Sequence, residues 1–324
     1  MCVLSMNPSL SVARNAHTLL RRHLPVSRLV DAPALSAKAG SSIYLKLESE
    51  LPTASFKPRG AIYALSINAS RRSIREVTAS STGNHGAAVA FAASLLGIPA
   101  TIFLPANPNP VKRDRIAALG AKIVAEGDAD ISAAFERAAD YSRRPDVFFL
   151  NDATDPDLPA GPATIALEIF EQLPAVDALV VPMGDTALIR GVAAVARQLS
   201  PGIRIIGVQA EQAPSYFLSW KQGQAVTTET CDTIADGLAT RTPDAGNVRA
   251  IRELVDEVVL VSEDEMLAAI RHLALEEHII AEPAGAAATA ALLYKELHCG
   301  RNTVLLVTGA NISPDVFRRA ICSP

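Results

Sequence analysis

Short apolar runs recur along the chain: "SIYLKLE" from Ser42, "REVTASS" from Arg75, "PATIFLP" from Pro99, "AKIVAE" from Ala121, "VFFLND" from Val147, "DALVVPM" from Asp177, "RIIGVQA" from Arg204, "EVVLVS" from Glu257 and "TVLLVTG" from Thr303. Most are apolar almost throughout rather than alternating, the pattern of parallel strands covered on both faces. Helix-length stretches lie between them, among them "GAAVAFAASLLG" (86–97), "SAAFERAADYSRR" (132–144) and "EDEMLAAIRHLALEEH" (263–278). The last has acids in its first turn and Ser262 placed to cap it. Strands alternating with crossover helices predict an α/β fold. No internal repeat or low-complexity tract interrupts the pattern.

Two stretches share one rhythm of strand, glycine-bearing turn, helix and strand: Glu76 to Leu104 and Asp177 to Gln209. Two such units predict two sheets with a cleft where their strand ends face each other. No flexible linker divides them. The expected division is a smaller domain over 53–150 and a larger one built from 1–52 and 151–324.

Composition narrows the partners. The chain has 324 residues, 49% hydrophobic and 20% charged, with a net charge of −4. That acidic balance argues against a nucleic-acid surface. The absence of an apolar run of about 18 residues argues against a membrane span. The start shows no signal-peptide pattern. Cys2, Cys231, Cys299 and Cys322 are scattered without CxxC spacing. That suits a reducing, cytoplasmic setting and argues against a cysteine-built zinc site.

Two turns carry chemistry. "TASSTGNHGAAVAFAA" follows a strand and opens a helix, whose N-terminus offers unpaired N–H groups. Gly83 and Gly86 permit a tight turn, and Ser81, Thr82, Asn84 and His85 add side-chain groups. The turn reads either as a cradle for a carboxylate or phosphate, or as a polar turn with a Ser or Thr cap. "VVPMGDTALIRGVAAVA" repeats the logic with Gly184, Asp185 and Thr186. Backbone N–H groups and the Thr186 hydroxyl suit a phosphate, whereas the Asp185 carboxylate would repel one unless it points away. Neither turn is a GxGxxG or P-loop motif.

Lys57 stands in "LPTASFKPRG" with few charged neighbours in sequence. It reads either as a surface lysine at a helix start, or as an amine of lowered pKa that acts as nucleophile or base and forms an imine with an aldehyde cofactor. In the second reading, one cradle takes a cofactor phosphate and the other a substrate carboxylate.

Taken together, "KLESELPTASFKPRGA", "SSTGNHGAA", "TIADGLA", "EPAGAAATAAL" and "VTGAN" resemble the fold-type II pyridoxal-phosphate enzymes, within them the threonine/serine dehydratases and serine racemase. The resemblance spans roughly residues 20 to 315 and implies a tryptophan synthase β-subunit-like pair of open twisted sheets, with a homodimer as the assembly. It implies that Lys57 holds pyridoxal phosphate covalently and later moves a proton, and that Phe56 packs beside the cofactor. Ser81, Thr82, Gly83, Asn84 and His85 match the loop that receives the substrate carboxylate, and Asn84 matches the residue facing the cofactor's 3-hydroxyl. Thr308 matches a hydroxyl facing the pyridine nitrogen. Gly237 lies in a segment that lines the ring, and Glu282 matches an acid near it. A neutral hydroxyl at position 308 stabilises a pyridinium less than an aspartate would, which favours β-elimination over transamination.

The chain departs from the resemblance at three places. "MGDTALIRG" replaces a run of glycines, so a phosphate would rest on the N–H groups of Gly184, Asp185, Thr186, Ala187 and Leu188 and on the Thr186 hydroxyl. Thr82 stands where racemases place a serine on the second face of the cofactor. Glu211 lacks a following carboxylate in "QAPSYFLS", so no divalent cation is expected there.

The expected activity is dehydration and deamination of a β-hydroxy amino acid to a 2-oxo acid and ammonia. The alternatives are a racemase using Lys57 and Thr82, or a cofactor-binding protein without turnover. Serine, threonine, hydroxyaspartate and phenylserine all fit the motifs. Arg59, Arg190 and Arg241 read as solvated surface residues rather than contacts to an extra acidic group. The chain's end at Pro324 leaves no room for an effector domain, so inhibition by isoleucine is not expected.

Overall fold

The computed structural model describes residues 7–81, 83–106, 110–125 and 131–322. In chain order the strands are β1 (Leu29–Asp31), β2 (Ser42–Leu47), β3 (Glu76–Ser80), β4 (Ala100–Phe103), β5 (Lys122–Val124), β6 (Val147–Phe149), β7 (Ala178–Pro182), β8 (Arg204–Ala210), β9 (Glu257–Val261) and β10 (Asn302–Val307). The helices are α1 (Leu10–Leu20), α2 (Pro33–Ala39), α3 (Lys57–Arg71), α4 (Asn84–Leu96), α5 (Pro110–Ala118), α6 (Ile131–Tyr141), α7 (Ala160–Gln172), α8 (Ala187–Leu199), α9 (Ser215–Gln222), α10 (Ala245–Leu254), α11 (Glu263–Leu275), α12 (Pro283–Tyr294) and α13 (Pro314–Cys322). Every apolar run named above forms a strand. β1 escaped the sequence reading because three residues at a sheet edge, half exposed, leave no periodic signal.

Two sheets result. One has six strands in the order β1-β2-β10-β7-β8-β9, and the other has four in the order β5-β4-β3-β6. All neighbours are parallel except β1 with β2. The strand order reverses between β3 and β6 in the small sheet, and between β7 and β10 in the large one. At such a reversal the loops leaving the C-terminal strand ends run in opposite directions and leave a crevice. Four loops therefore line crevices: those after β3, β6, β7 and β10.

Burial explains the alanine-rich helix α12. α12 is buried along Pro283–Ala291, packed on β7–β10 and flanked by α2 and α11. A helix covered on several sides cannot be amphipathic, and small side chains let it lie close to its neighbours. α11 is closed by a reciprocal cap in which Ser262 accepts from the Glu265 N–H and Glu265 accepts from the Ser262 N–H. This is the capping-box arrangement.

Candidate active site

Lys57 is the first residue of α3, and the chain ahead of it is pinned to the loop after β10. The Phe56 N–H donates to Thr308 O at 3.0 Å, and the Ala310 N–H donates to Ala54 O at 3.0 Å. Thr53 and Ala54 adopt left-handed backbone angles (φ 68° and 53°) to make this turn, a conformation that costs non-glycine residues energy and needs support from its surroundings. Asn311 Nδ2 supplies some of it by donating to Thr53 O at 2.8 Å. The result sets Lys57 beside the Thr308 segment. Phe56 lies next to the amine, its ring centroid 5.6 Å from Nζ.

Lys57 is not the isolated amine that its sequence neighbours suggested. Its Nζ lies 2.5 Å from Asp152 Oδ2, in the loop after β6. Burial disfavours the charged amine, but Asp152, Asp185 and Glu282 together hold its pKa above the ordinary lysine value rather than below it. All three carboxylates come from distant loops, so the sequence neighbourhood could not reveal them. Asp152 is the functional candidate that sequence reasoning missed. Its signal was topological: it follows β6, the partner of β3 at the strand-order reversal.

The loop after β3 delivers Ser81, Gly83, Asn84 and His85; Thr82 lies outside the described residues. Ser81 Oγ accepts from the Gly83 N–H at 3.2 Å. An added Cβ on Gly83 would meet nothing within 4 Å, so this backbone faces open space. Gly86 differs from expectation, because a Cβ there would lie 2.4 Å from Ser81 O. It serves the loop's own closure rather than a ligand. Asn84 Nδ2 donates to Glu282 Oε1 at 2.6 Å, and Asn311 Nδ2 donates to Asn84 Oδ1 at 2.5 Å. His85 is buried. Its Nε2 lies 2.9 Å from Leu150 O, and burial pushes its pKa down despite nearby Asp152.

Gly184 follows β7, and a Cβ there would lie 2.1 Å from Gly237 O, so only glycine fits against the Asp236–Leu238 turn. Thr186 adopts φ 69° just before α8. Its Oγ1 accepts from Arg190 Nε at 3.1 Å, which leaves the hydroxyl hydrogen free to donate. The first N–H groups of α8, at Ala187 and Leu188, point out of the helix start. Asp185 turns toward Thr240, whose Oγ1 donates to Asp185 Oδ1 at 3.0 Å. Burial and Asp152 push the Asp185 carboxyl up to about 6, against the pull of Lys57. Thr308 is buried, and its Oγ1 makes a long 3.5 Å contact with Ala284 O.

Two arginines depart from expectation. Arg59 is 1% exposed and Arg190 is 2% exposed, so neither is a solvated surface residue. Arg59 donates to Glu48 Oε2 at 2.7 Å and to Glu168 Oε1 at 2.8 Å, and Lys46 Nζ also meets Glu168, at 2.9 Å. This buried ionic cluster anchors the start of α3. Arg190 braces the Thr186 turn. Arg241 is exposed, as read, and so is Glu211.

The donor set suits a phosphorylated pyridine aldehyde. It offers an amine for the aldehyde, a helix start with a hydroxyl and a guanidinium for the phosphate, and a buried hydroxyl for the ring nitrogen. An amine placed where the crevices of two largely parallel sheets converge suits a cofactor enzyme of the α/β class. The chain belongs to the pyridoxal-phosphate-dependent enzymes: a family model described as "Pyridoxal-phosphate dependent enzyme" matches residues 20–309. The chain is 36% identical over 308 residues to an L-threonine ammonia-lyase of Thermotoga maritima, covering 95% of this chain and 77% of that protein. Its fold matches maize serine racemase with a TM-score of 0.91 at 26% identity, covering 97% of each chain. It matches the processed form of threonine deaminase isoform 2 from Solanum lycopersicum with a TM-score of 0.89 at 30% identity, covering 97% of this chain and 88% of that one. The fold is accordingly that of the fold-type II enzymes, and the cofactor is pyridoxal phosphate.

Proposed function

We propose that the chain is an ammonia-lyase that removes water and then ammonia from a β-hydroxy amino acid such as threonine or serine. The observation that carries this reading is the convergence of Lys57 and the Ser81–His85 loop in one crevice, in a chain similar to threonine ammonia-lyases. Bound pyridoxal phosphate supplies an electron sink for the charge that develops at Cα. Lys57 Nζ takes the Cα proton. The N–H groups at the start of α4, with Ser81, receive the substrate carboxylate and fix the Cα–H bond toward Lys57. The Thr186 hydroxyl and the first N–H groups of α8 hold the phosphate, with Arg190 behind them. Thr308 faces the ring nitrogen as a neutral partner, Phe56 packs beside the ring, and Gly237 lines it. The β-hydroxyl takes a proton from a nearby acid and departs as water, and the released enamine takes up water and hydrolyses to a 2-oxo acid and ammonia.

The similarity to maize serine racemase supports a second reading, in which Thr82 serves the opposite face. We further divide the chain into a small lobe over 53–150 and a large lobe from the remainder, and infer a cytoplasmic homodimer. Scattered cysteines support the location, the fold relationship supports the dimer, and light scattering would test it.

The deciding experiment incubates the holoenzyme with single enantiomers of serine, threonine, hydroxyaspartate and phenylserine. Ammonia and 2-oxo acid in equal amounts, abolished in Lys57→Ala, are expected. Appearance of the antipode would favour the racemase, and no product from any of these substrates would overturn the lyase reading.

A further inference from the structure

Lys57 Nζ lies 2.5 Å from Asp152 Oδ2, and the two side chains are only 19% and 21% exposed. Asp152 sits in the loop after β6, and its neighbours in sequence are tied down on both sides. Leu150 O lies 2.9 Å from His85 Nε2, the Ala153 N–H donates to Asn151 Oδ1 at 3.0 Å, and Asn247 Nδ2 on α10 donates to Ala153 O at 2.9 Å. Fixed neighbours make the placement of this carboxylate a property of the fold rather than of one rotamer. The lyase steps proposed above give Asp152 no part.

Titratable groups reach Lys57 from four elements. Asp152, Asp185 and Glu282 come from the loops after β6 and β7 and from the residue before α12, and His85 comes from α4. Asp185 is turned to Thr240, and Glu282 to Asn84 and Asn311. Asp152 makes the contact. Burial pushes the pKa of His85 down, so the cation beside Asp152 is Lys57. Opposite charges in contact attract more strongly behind a shield of protein than in water. A carboxylate here therefore favours whichever form of the Lys57 nitrogen carries a proton. Both chemical forms of that nitrogen can carry one: the free amine as an ammonium, and the nitrogen joined to an aldehyde as a protonated imine.

On the reading that Lys57 tethers the cofactor, on which this inference rests, we propose that Asp152 is the counter-ion of the Lys57 nitrogen in both forms. In the cofactor-linked form it keeps the proton on nitrogen, which draws electrons from the neighbouring carbon and opens that carbon to the substrate amine. As that amine bonds to the carbon, one proton passes from the substrate nitrogen to Nζ. The Lys57 N–C bond breaks, and its electron pair stays on Nζ. The positive charge is now on the substrate nitrogen, and Lys57 leaves as a neutral amine against Asp152. The Cα–H bond then breaks, its electron pair stays with Cα, and its proton joins the Nζ lone pair. The ammonium formed is paired with Asp152 at once, which makes Lys57 a stronger base at the step that needs one. Nothing is oxidised or reduced. Asp152 keeps its charge throughout and touches Lys57 rather than the reacting carbon, so it is a positioning residue.

The test titrates the full chain loaded with pyridoxal phosphate toward alkaline pH. It follows the cofactor's visible absorbance band, which reports the proton on the nitrogen joined to it. Asp152→Asn should move the midpoint down by at least about one pH unit, a tenfold loss of proton affinity. Asp152→Glu should restore part of it. A structural role alone would lower the urea midpoint and leave the titration in place. A band that keeps the wild-type pH dependence in Asp152→Asn would overturn the counter-ion. If Asp152→Asn does not fold, Asp152→Ser, also neutral, is read in the same way. Ammonia release separates the two readings. A shifted band without ammonia from any substrate loses the lyase and keeps the counter-ion, whereas ammonia release with an unshifted band loses the counter-ion alone. A visible band unchanged in Lys57→Ala would overturn both.

Discussion

Asn84 and Glu282 are 198 residues apart in the chain, yet the amide of one donates to the carboxylate of the other at 2.6 Å. Asn84 opens α4 on the small sheet, and Glu282 immediately precedes α12 on the large one. Glu282 Oε2 also accepts from the Asn311 N–H at 3.1 Å. The contact therefore clasps the small-sheet loop to the large sheet across the cleft and aims the side chain that the family resemblance assigns to the cofactor's 3-hydroxyl.

Removing the charge from this clasp should loosen that aim. A hydrogen bond to an ionised group contributes about 1.5–3 kcal/mol. Glu282→Gln should therefore weaken pyridoxal-phosphate binding by about 10- to 100-fold, read by titrating the apo chain and following the cofactor's absorbance. An unchanged dissociation constant would show that the clasp does not position Asn84.

The buried cluster behind α3 yields a stability prediction. Glu168→Gln leaves Arg59 and Lys46 short of a shared counter-charge, with an expected cost of about 3–5 kcal/mol, measured as a lower urea midpoint. Burial disfavours ionised Glu168, but Arg59 and Lys46 hold its carboxyl down to about 2, from an ordinary 4.5. A depressed acid stabilises the fold fully above its unfolded value and loses that contribution as pH falls through the folded one. The gap between wild type and variant should therefore be widest above pH 4.5 and shrink toward pH 2. A gap that does not change with pH would contradict this origin.

Asp185 should behave in the opposite sense. Its carboxyl is pushed up to about 6 from 3.8, so the native chain holds a proton that the unfolded chain has already released. Stability falls as pH rises between these values, by roughly 2–3 kcal/mol at about 1.4 kcal/mol per pH unit. Asp185→Asn removes this loss and should be more stable than wild type at pH 7 but little different near pH 3, as read by thermal unfolding. Equal melting at both pH values would count against a buried, destabilised carboxylate.

Much of this was legible in the sequence because its causes are local. A buried parallel strand needs an unbroken apolar run, and the nine runs read as strands are strands. Gly184 was visible as a turn glycine, although its reason, the Gly237 carbonyl against it, was not. Arg59 and Arg190 were misread because an arginine two or four residues from a turn has the same sequence signature whether it meets water or Glu168. Long-range partners decide that difference.

The sequence by itself determined the alternation of strands and helices, the lysine, and the two glycine turns that suit anions, because each depends on residues within one turn or one strand. The tertiary structure decided the electrostatic surroundings of that lysine. The strand-order reversals bring the loops after β3, β6, β7 and β10 together, and so place Asp152 against Lys57 and Glu282 against Asn84. Charge acts through space, so an amine that looks solitary along the chain can sit among three carboxylates once the sheets are stacked.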